Sequence, residues 1–317
     1  MSEQNKQLAF VFAGQGSQSI GMLAELATEH AEIQATFAEA SAVLGFDLWQ
    51  MVSAGEASDL NQTHNTQPAM LAAGVALWRV WCKQSTVRPA FMAGHSLGEY
   101  TALVCSGVLS FTDAIKLVAE RGRFMQAAVP EGTGAMAAIL GLNDQQVLDV
   151  CAEAAETEIC AAVNFNSTGQ VVIAGHHDAV ERAMVLAKTA GAKRALKLSV
   201  SVPSHCVLMQ PAADNLYTKM QALNFAIPEL TLLHNVDVAV HTDAEEIRIA
   251  LKEQLFKPVR WVETIEALSA QGATTFVELS PGKALLGLNK RIVKTAEHFT
   301  VFNTDTLTKV LEHYADE

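Results

Sequence analysis

Residues 94–98 read Gly-His-Ser-Leu-Gly. Gly-x-Ser-x-Gly is the pattern of a nucleophilic serine held on a sharp turn between a strand and a helix. The chemistry explains the residue types. A turn that tight needs small flanking residues, and it leaves the Ser96 hydroxyl exposed. The amide of Leu97 then lies at a helix N-terminus, where it can donate to a developing oxyanion. The competing reading is an ordinary strand-turn-helix junction with a capping serine.

A serine hydroxyl needs a base, and the chain has ten histidines. His205 is the candidate. It lies in Val-Ser-Val-Pro-Ser-His-Cys (200–206), stiffened by Pro203, where the chain leaves a segment of different character. His95 adjoins the serine but is expected to point elsewhere in the turn. His176 and His177 follow a strand end and read as solvent-facing. His30, His64, His234 and His241 have nothing to single them out. No Asp or Glu suggests itself as a third member, so a backbone carbonyl or an amide side chain is the expected partner of the imidazole.

Gly14-Gln15-Gly16-Ser17-Gln18 follows an apolar run. A dinucleotide fingerprint needs glycine at position 19, which is serine, and no Walker A pattern occurs. The loop reads instead as a tight turn at a strand C-terminal end, with the Gln15 amide as a second oxyanion donor. Arg121, beside Gly122, sits in an apolar helical pattern. It is either a surface residue or a planar fork for a substrate carboxylate.

The elements that must carry these residues follow from the apolar pattern. Residues 8–13 and 89–94 read as strands buried on both faces, as in a parallel sheet. Residues 20–43, 67–83, 97–106 and 112–128 read as helices, with Pro68 in a first turn and Ser110 or Thr112 as an N-cap. Residues 134–140, 144–155, 159–164, 170–174, 178–190 and 194–200 give the order βαββαβ, a ferredoxin-like pattern. Further strands are expected at 230–235 and 275–279. The expected fold is an α/β-hydrolase-like large domain over 1–129 and 201–317, with an inserted ferredoxin-like subdomain over 130–200. A cleft between them is the natural place for a small-molecule site.

The 317 residues exceed the usual single domain. Half are hydrophobic and 18% are charged, so a sizeable core can form. The formal charge of −12 argues against nucleic acid as a partner. Five cysteines without CxxC spacing argue against a disulfide framework or a structural metal site and fit a reducing cytoplasm. No stretch has the length of a membrane span.

Taken together, the motifs resemble the malonyl-CoA:acyl carrier protein transacylase family over nearly the whole chain. They are Phe-Ala-Gly-Gln-Gly-Ser-Gln (12–18), Asn-Thr-Gln-Pro-Ala (65–69), Gly-His-Ser-Leu-Gly-Glu-Tyr (94–100), Arg121-Gly122, Val-Pro-Glu-Gly-Thr-Gly-Ala-Met (129–136), Asn-Phe-Asn-Ser (164–167), Val-Pro-Ser-His-Cys (202–206) and Gln254 with Pro258-Val259-Arg260-Trp261. One departure is Ala13, where many relatives have proline.

The resemblance implies Ser96 as acyl carrier, His205 as base and the amides of Gln15 and Leu97 as the oxyanion hole. It implies Arg121 as the ligand of the malonyl carboxylate, Gln254 as the orienter of His205 through its carbonyl, and Asn166 as a pocket residue. The aliphatic Leu97 fits malonyl rather than methylmalonyl. Malonyl-CoA and an acyl carrier protein are the implied partners, and monomer is the default state. Coenzyme A enters only as part of the substrate; no bound cofactor and no metal is implied. Lys193, Arg194 and Lys197, or Lys290, Arg291 and Lys294, are the basic clusters that an acidic carrier could meet. Two rivals stand beside this reading. An esterase would share Ser96 and His205 but leave Arg121 without a task. A non-enzymatic acyl-CoA-binding or docking module would make the serine structural.

Overall fold

In the computed structural model, residues 4–130, 132–200 and 202–315 are described. Glu131 of the 129–136 motif and Ser201, the start of the second expected large-domain segment, lie outside them. Among the described residues the strands are β1 (Gln4–Phe12), β2 (Arg88–Gly94), β3 (Gly134–Leu140), β4 (Cys160–Ser167), β5 (Gln170–His176), β6 (Arg194–Lys197), β7 (Thr231–Leu233), β8 (Thr275–Leu279) and β9 (Glu297–Val301). They form a parallel sheet in the order β7-β2-β1-β8-β9 and a separate antiparallel sheet in the order β4-β5-β3-β6.

The apolar run at the end of β1 is continuous because the strand is central and helices cover both its faces. Leu8, Phe10 and Phe12 join the core built with helices Thr63–Gln84 and Phe111–Ala128. Ala9 and Val11 pack the other way, against helices Trp261–Ala270 and Ala284–Ile292. The larger side chains go to one face, where Phe10 meets Trp78 and Trp81 edge to face.

The antiparallel sheet also has two unlike faces. Ala135, Ala137 and Ile139 of β3 pack on helices Asp144–Ala155 and His177–Thr189. Met136 and Ala138 face the other way, toward Cys206. Strand β4 is tied by main-chain bonds to the segment just before helix Trp261–Ala270: Phe165 N–H donates to the Val259 carbonyl at 3.0 Å, and Val259 N–H to the Val163 carbonyl at 2.9 Å.

Several sequence expectations need adjustment. The helix expected over 20–43 is two, Ala24–Glu29 and Ala31–Leu44, separated by His30 in an extended conformation. The helix expected from 67 begins at Thr63, so Pro68 lies inside it rather than in its first turn. Of the two possible caps for helix Phe111–Ala128, Ser110 is the one used, accepting from the Asp113 N–H. Strand β9 carries no signal strong enough to be read; its burial pattern is exposed at one end.

The elbow depends on two glycines. A Cβ on Gly94 would lie 1.9 Å from the Gly98 carbonyl carbon, and one on Gly98 would lie 2.0 Å from the Phe12 carbonyl oxygen. All these contacts are backbone, which cannot step aside. Gly94→Ala should therefore lose about 3 kcal/mol or more of stability in urea unfolding. The control is Gly287→Ala in helix Ala284–Ile292, where nothing lies within 4 Å of the added methyl. It should be neutral or gain about 0.5–1 kcal/mol. Equal effects would mean that close backbone approach at the elbow is not what requires glycine.

Candidate active site

Ser96 stands between β2 and helix Gly98–Cys105 with φ +51°, the left-handed region that costs a non-glycine residue roughly 1–2 kcal/mol. Hydrogen bonds from buried side chains hold it there. The Ser96 N–H donates to Asn235 Oδ1 at 2.7 Å, and Asn235 Nδ2 donates to the Gly94 carbonyl at 2.7 Å. The Ser96 carbonyl accepts from Gln254 Nε2 at 3.0 Å. The turn is thus gripped on both sides of the serine.

His205 Nε2 lies 2.8 Å from Ser96 Oγ. Its Nδ1 lies 2.6 Å from the Gln254 carbonyl, which can only accept, so Nδ1 carries the proton and Nε2 is left free to take one. Burial, reinforced by the Arg121 charge, lowers the His205 pKa to about 3; the hydrogen bond to Gln254 works in the opposite direction. The ring is 3% exposed. It is held by a backbone also at positive φ, +65°, whose N–H donates to the Leu255 carbonyl at 2.9 Å.

Arg121, one of the two options left open by the sequence, is 1% exposed and points inward. Its Nη1 donates to Gln67 Oε1 at 2.9 Å and its Nη2 to Gln254 Oε1 at 3.0 Å. Nη2 also reaches Ser96 Oγ at 3.4 Å. The guanidinium lies over the Tyr100 ring, 5.3 Å from its centroid. Among the described residues no carboxylate pairs with it, and its Nε has no partner. Burial lowers its pKa. A buried cation without a counter-charge, beside a serine hydroxyl, can pair with an anion that arrives from outside.

The loop after β1 closes over the turn. A Cβ on Gly14 would be 2.6 Å from the His95 carbonyl oxygen and 3.4 Å from the Leu97 nitrogen, so only glycine lets the loop come so near. That brings Gln15 beside Leu97, and both line a cavity of about 200 Å³ with Ser96, Arg121, Asn166 and His205. Neither the Gln15 nor the Leu97 amide has an acceptor among the described residues. The second wall is apolar: Met136 and Val172 of the antiparallel sheet, with Leu198 and Val200. Asn166 crosses between the sheets to His95, with Oδ1 2.8 Å from Nε2.

The cavity therefore gathers Gln15, Ser96, Leu97, Arg121, Asn166 and His205, while Gln254 stands directly behind it. Sequence reasoning missed Gln67, Glu99, His234 and Asn235. His234 is fully buried and its Nδ1 lies 2.7 Å from Glu99 Oε1. Gln67 and Glu99 stand inside the 65–69 and 94–100 motifs but carried no role there; His234 and Asn235 follow β7 at the C-terminal edge of a parallel sheet, where α/β sites form. Without the sheet order that edge is not visible.

Comparison with known proteins shows the family of the chain. Residues 9–304 match the model of the acyl transferase domain family. The chain is 58% identical over 289 residues to the malonyl CoA-acyl carrier protein transacylase of Salmonella typhimurium, covering 91% of this chain and 94% of that one. It is 55% identical over 306 residues to the same-named protein of Escherichia coli, covering 96% and 99%. Among solved structures, an acyl carrier protein S-malonyltransferase from Vibrio cholerae superposes with TM-score 0.94 at 57% identity, over 96% of this chain and 99% of that one. The malonyl-transacylase in a holo complex with a type II PKS acyl-carrier protein superposes with TM-score 0.96 at 54% identity, over 97% and 99%.

The His205 environment makes a direct prediction. Burial and a neighbouring cation both penalise the imidazolium, so the folded pKa falls below the ordinary value of about 6.5. The ring should stay neutral from about pH 8 down to about pH 5, seen as flat ring nitrogen NMR shifts. Arg121→Met removes the cation and should move the titration upward. A His205 that titrates near its ordinary value in the wild type would contradict this environment.

Proposed function

The chain belongs to the acyl transferase domain family, and we propose how its residues move a malonyl group from coenzyme A to an acyl carrier protein, the reaction that supplies fatty-acid synthesis. The observation that carries the reading is Arg121: a buried guanidinium 3.4 Å from Ser96 Oγ, lacking a carboxylate partner among the described residues. Malonyl brings such a carboxylate at the far end of its acyl group.

Arg121 binds the carboxylate and so places the thioester carbon at Ser96. His205 Nε2 takes the hydroxyl proton as Oγ attacks that carbon. The negative charge develops on the former carbonyl oxygen, between the Gln15 and Leu97 amides. Collapse breaks the carbon–sulfur bond, and coenzyme A leaves with the proton from His205. A malonyl-Ser96 ester remains. The phosphopantetheine thiol of the carrier then gives its proton to His205 and attacks the ester. Collapse returns the proton to Ser96 Oγ. The Gln254 carbonyl keeps His205 in the tautomer both halves require, and Asn166 lines the acyl pocket.

The fold fits the same proposal in finer terms. The domains proposed are an α/β-hydrolase-like large domain over 1–129 and 201–317 and a ferredoxin-like subdomain over 130–200, with residues 1–3, 131, 201 and 316–317 outside those described. The antiparallel strand order β4-β5-β3-β6 supports the latter. Among the described residues no helix is long and apolar enough to cross a membrane. The proposal takes the enzyme as a cytoplasmic monomer, with no bound cofactor. For docking an acidic carrier, Lys197 is already paired with Glu181 at 2.7 Å. Lys193, Arg194, Lys290 and Lys294 have no ion-pair partner among the described residues and are the better candidates.

Ser96→Ala should abolish the malonyl adduct seen by intact mass and lower turnover on the order of 10⁴-fold or more. An adduct that persists would remove Ser96 from its role. Arg121→Ala should cost roughly 3–5 kcal/mol of transition-state stabilisation with malonyl-CoA, about two to three and a half decades in kcat/KM, because one buried charge is left unpaired. Acetyl transfer should be spared or raised, and Arg121→Lys should recover little. Equal losses for both acyl groups would assign Arg121 to the fold instead.

A further inference from the structure

Glu99 lies three residues beyond the nucleophile, is fully buried and takes no part in the chemistry above. Three donors converge on its two oxygens. His234 Nδ1 reaches Oε1 at 2.7 Å, and the Asn235 N–H reaches Oε2 at 3.0 Å. Gln254 Nε2 reaches the same Oε2 at 2.8 Å. The first two donors follow β7 directly, so the carboxylate is fixed to the end of the parallel sheet and does not move with Gln254.

The side-chain amide of Gln254 has a donor end and an acceptor end, and both are committed. Its Nε2 faces two groups that only accept, Glu99 Oε2 and the Ser96 carbonyl. Its Oε1 faces a group that only donates, Arg121 Nη2 at 3.0 Å. Turning the amide over would set NH2 against the guanidinium and oxygen against the carboxylate. Glu99 thereby dictates the sense of the amide, and the amide supplies an acceptor to Arg121. With Gln67 Oε1 on Nη1, that acceptor defines the plane of the fork.

We propose that Glu99 is a positioning residue for acyl-group selection, acting through the Gln254 side-chain amide to fix the plane in which Arg121 meets an acyl carboxylate beside Ser96. The proposal rests on the reading of Arg121 given above. Glu99 itself touches no substrate. Glu99→Gln would be a weak probe, because the His234 ring can change tautomer and accept from the new NH2 while the remaining oxygen still serves the Asn235 N–H and Gln254 Nε2. Glu99→Met removes both acceptors, so the Gln254 amide loses the carboxylate that sets its sense and is free to turn.

The test is kcat/KM for malonyl-CoA and acetyl-CoA in the wild type, Glu99→Met, Gln254→Met, their double variant and Arg121→Ala, with thermal unfolding of each. Gln254→Met removes the amide but keeps the main-chain carbonyl that holds His205. Glu99→Met and Gln254→Met should each lower the malonyl-to-acetyl ratio about tenfold to a hundredfold. The double variant should go no lower than Gln254→Met, since both act through one group. A residue that only steadies the turn at Ser96 would slow both acyl transfers alike. An unchanged ratio in Glu99→Met therefore overturns the proposal. If Glu99→Met does not fold, Gln254→Met decides: an unchanged ratio there overturns it too. An unchanged ratio in Arg121→Ala would remove the underlying reading of Arg121 and this proposal with it. A ratio that collapses only in Arg121→Ala removes the Glu99 proposal alone.

Discussion

Arg121 enters the interior on an apolar helix and stops beside a serine hydroxyl, with amide oxygens rather than carboxylates around it. An ion pair with a protein carboxylate would have been the cheaper way to bury a guanidinium. Two neutral acceptors and an aromatic ring keep it in place without neutralising it. The surroundings follow from that choice. His205 is held neutral partly by the same charge, so the one positive group in the cavity also keeps the neighbouring imidazole able to accept a proton. Glu99 stands one amide away from Arg121, near enough to favour the cation and too well occupied to bind it.

The turn at Ser96 requires a comparable concentration of interactions. Both Ser96 and His205 sit at positive φ, in conformations that isolated residues of their type seldom adopt. Each is fixed by groups from distant parts of the chain: Asn235 and Gln254 for the serine, Leu255 and Gln254 for the histidine. Gln254 takes part in both through different atoms, its side-chain nitrogen and its main-chain oxygen. Ser96 and His205 are therefore referenced to one residue, which limits how far their 2.8 Å separation can drift. The main-chain bonds at Val259 tie the antiparallel sheet to the same region, so the apolar wall cannot slide independently of Ser96 and His205.

How much of this was legible in the sequence depends on how local each constraint is. The Gly94–Gly98 pentapeptide, the buried runs of β1 and β2 and the βαββαβ order are set by neighbouring residues: steric demand at a turn, or a period of burial along one segment. His205 and Arg121 were candidates from their own surroundings, and the acyl-transferase motifs added Asn166 and Gln254, which no local rule would have selected from their neighbours. What only the tertiary structure decided was direction and partnership. Arg121 reads equally well as a surface cation until packing of helices Thr63–Gln84 and Phe111–Ala128 turns it inward. His234 had nothing to mark it until the strand order set it against Glu99. Hydrogen bonds between residues more than a hundred positions apart leave no periodicity in the sequence, because their geometry exists only once the sheet that carries both ends has closed.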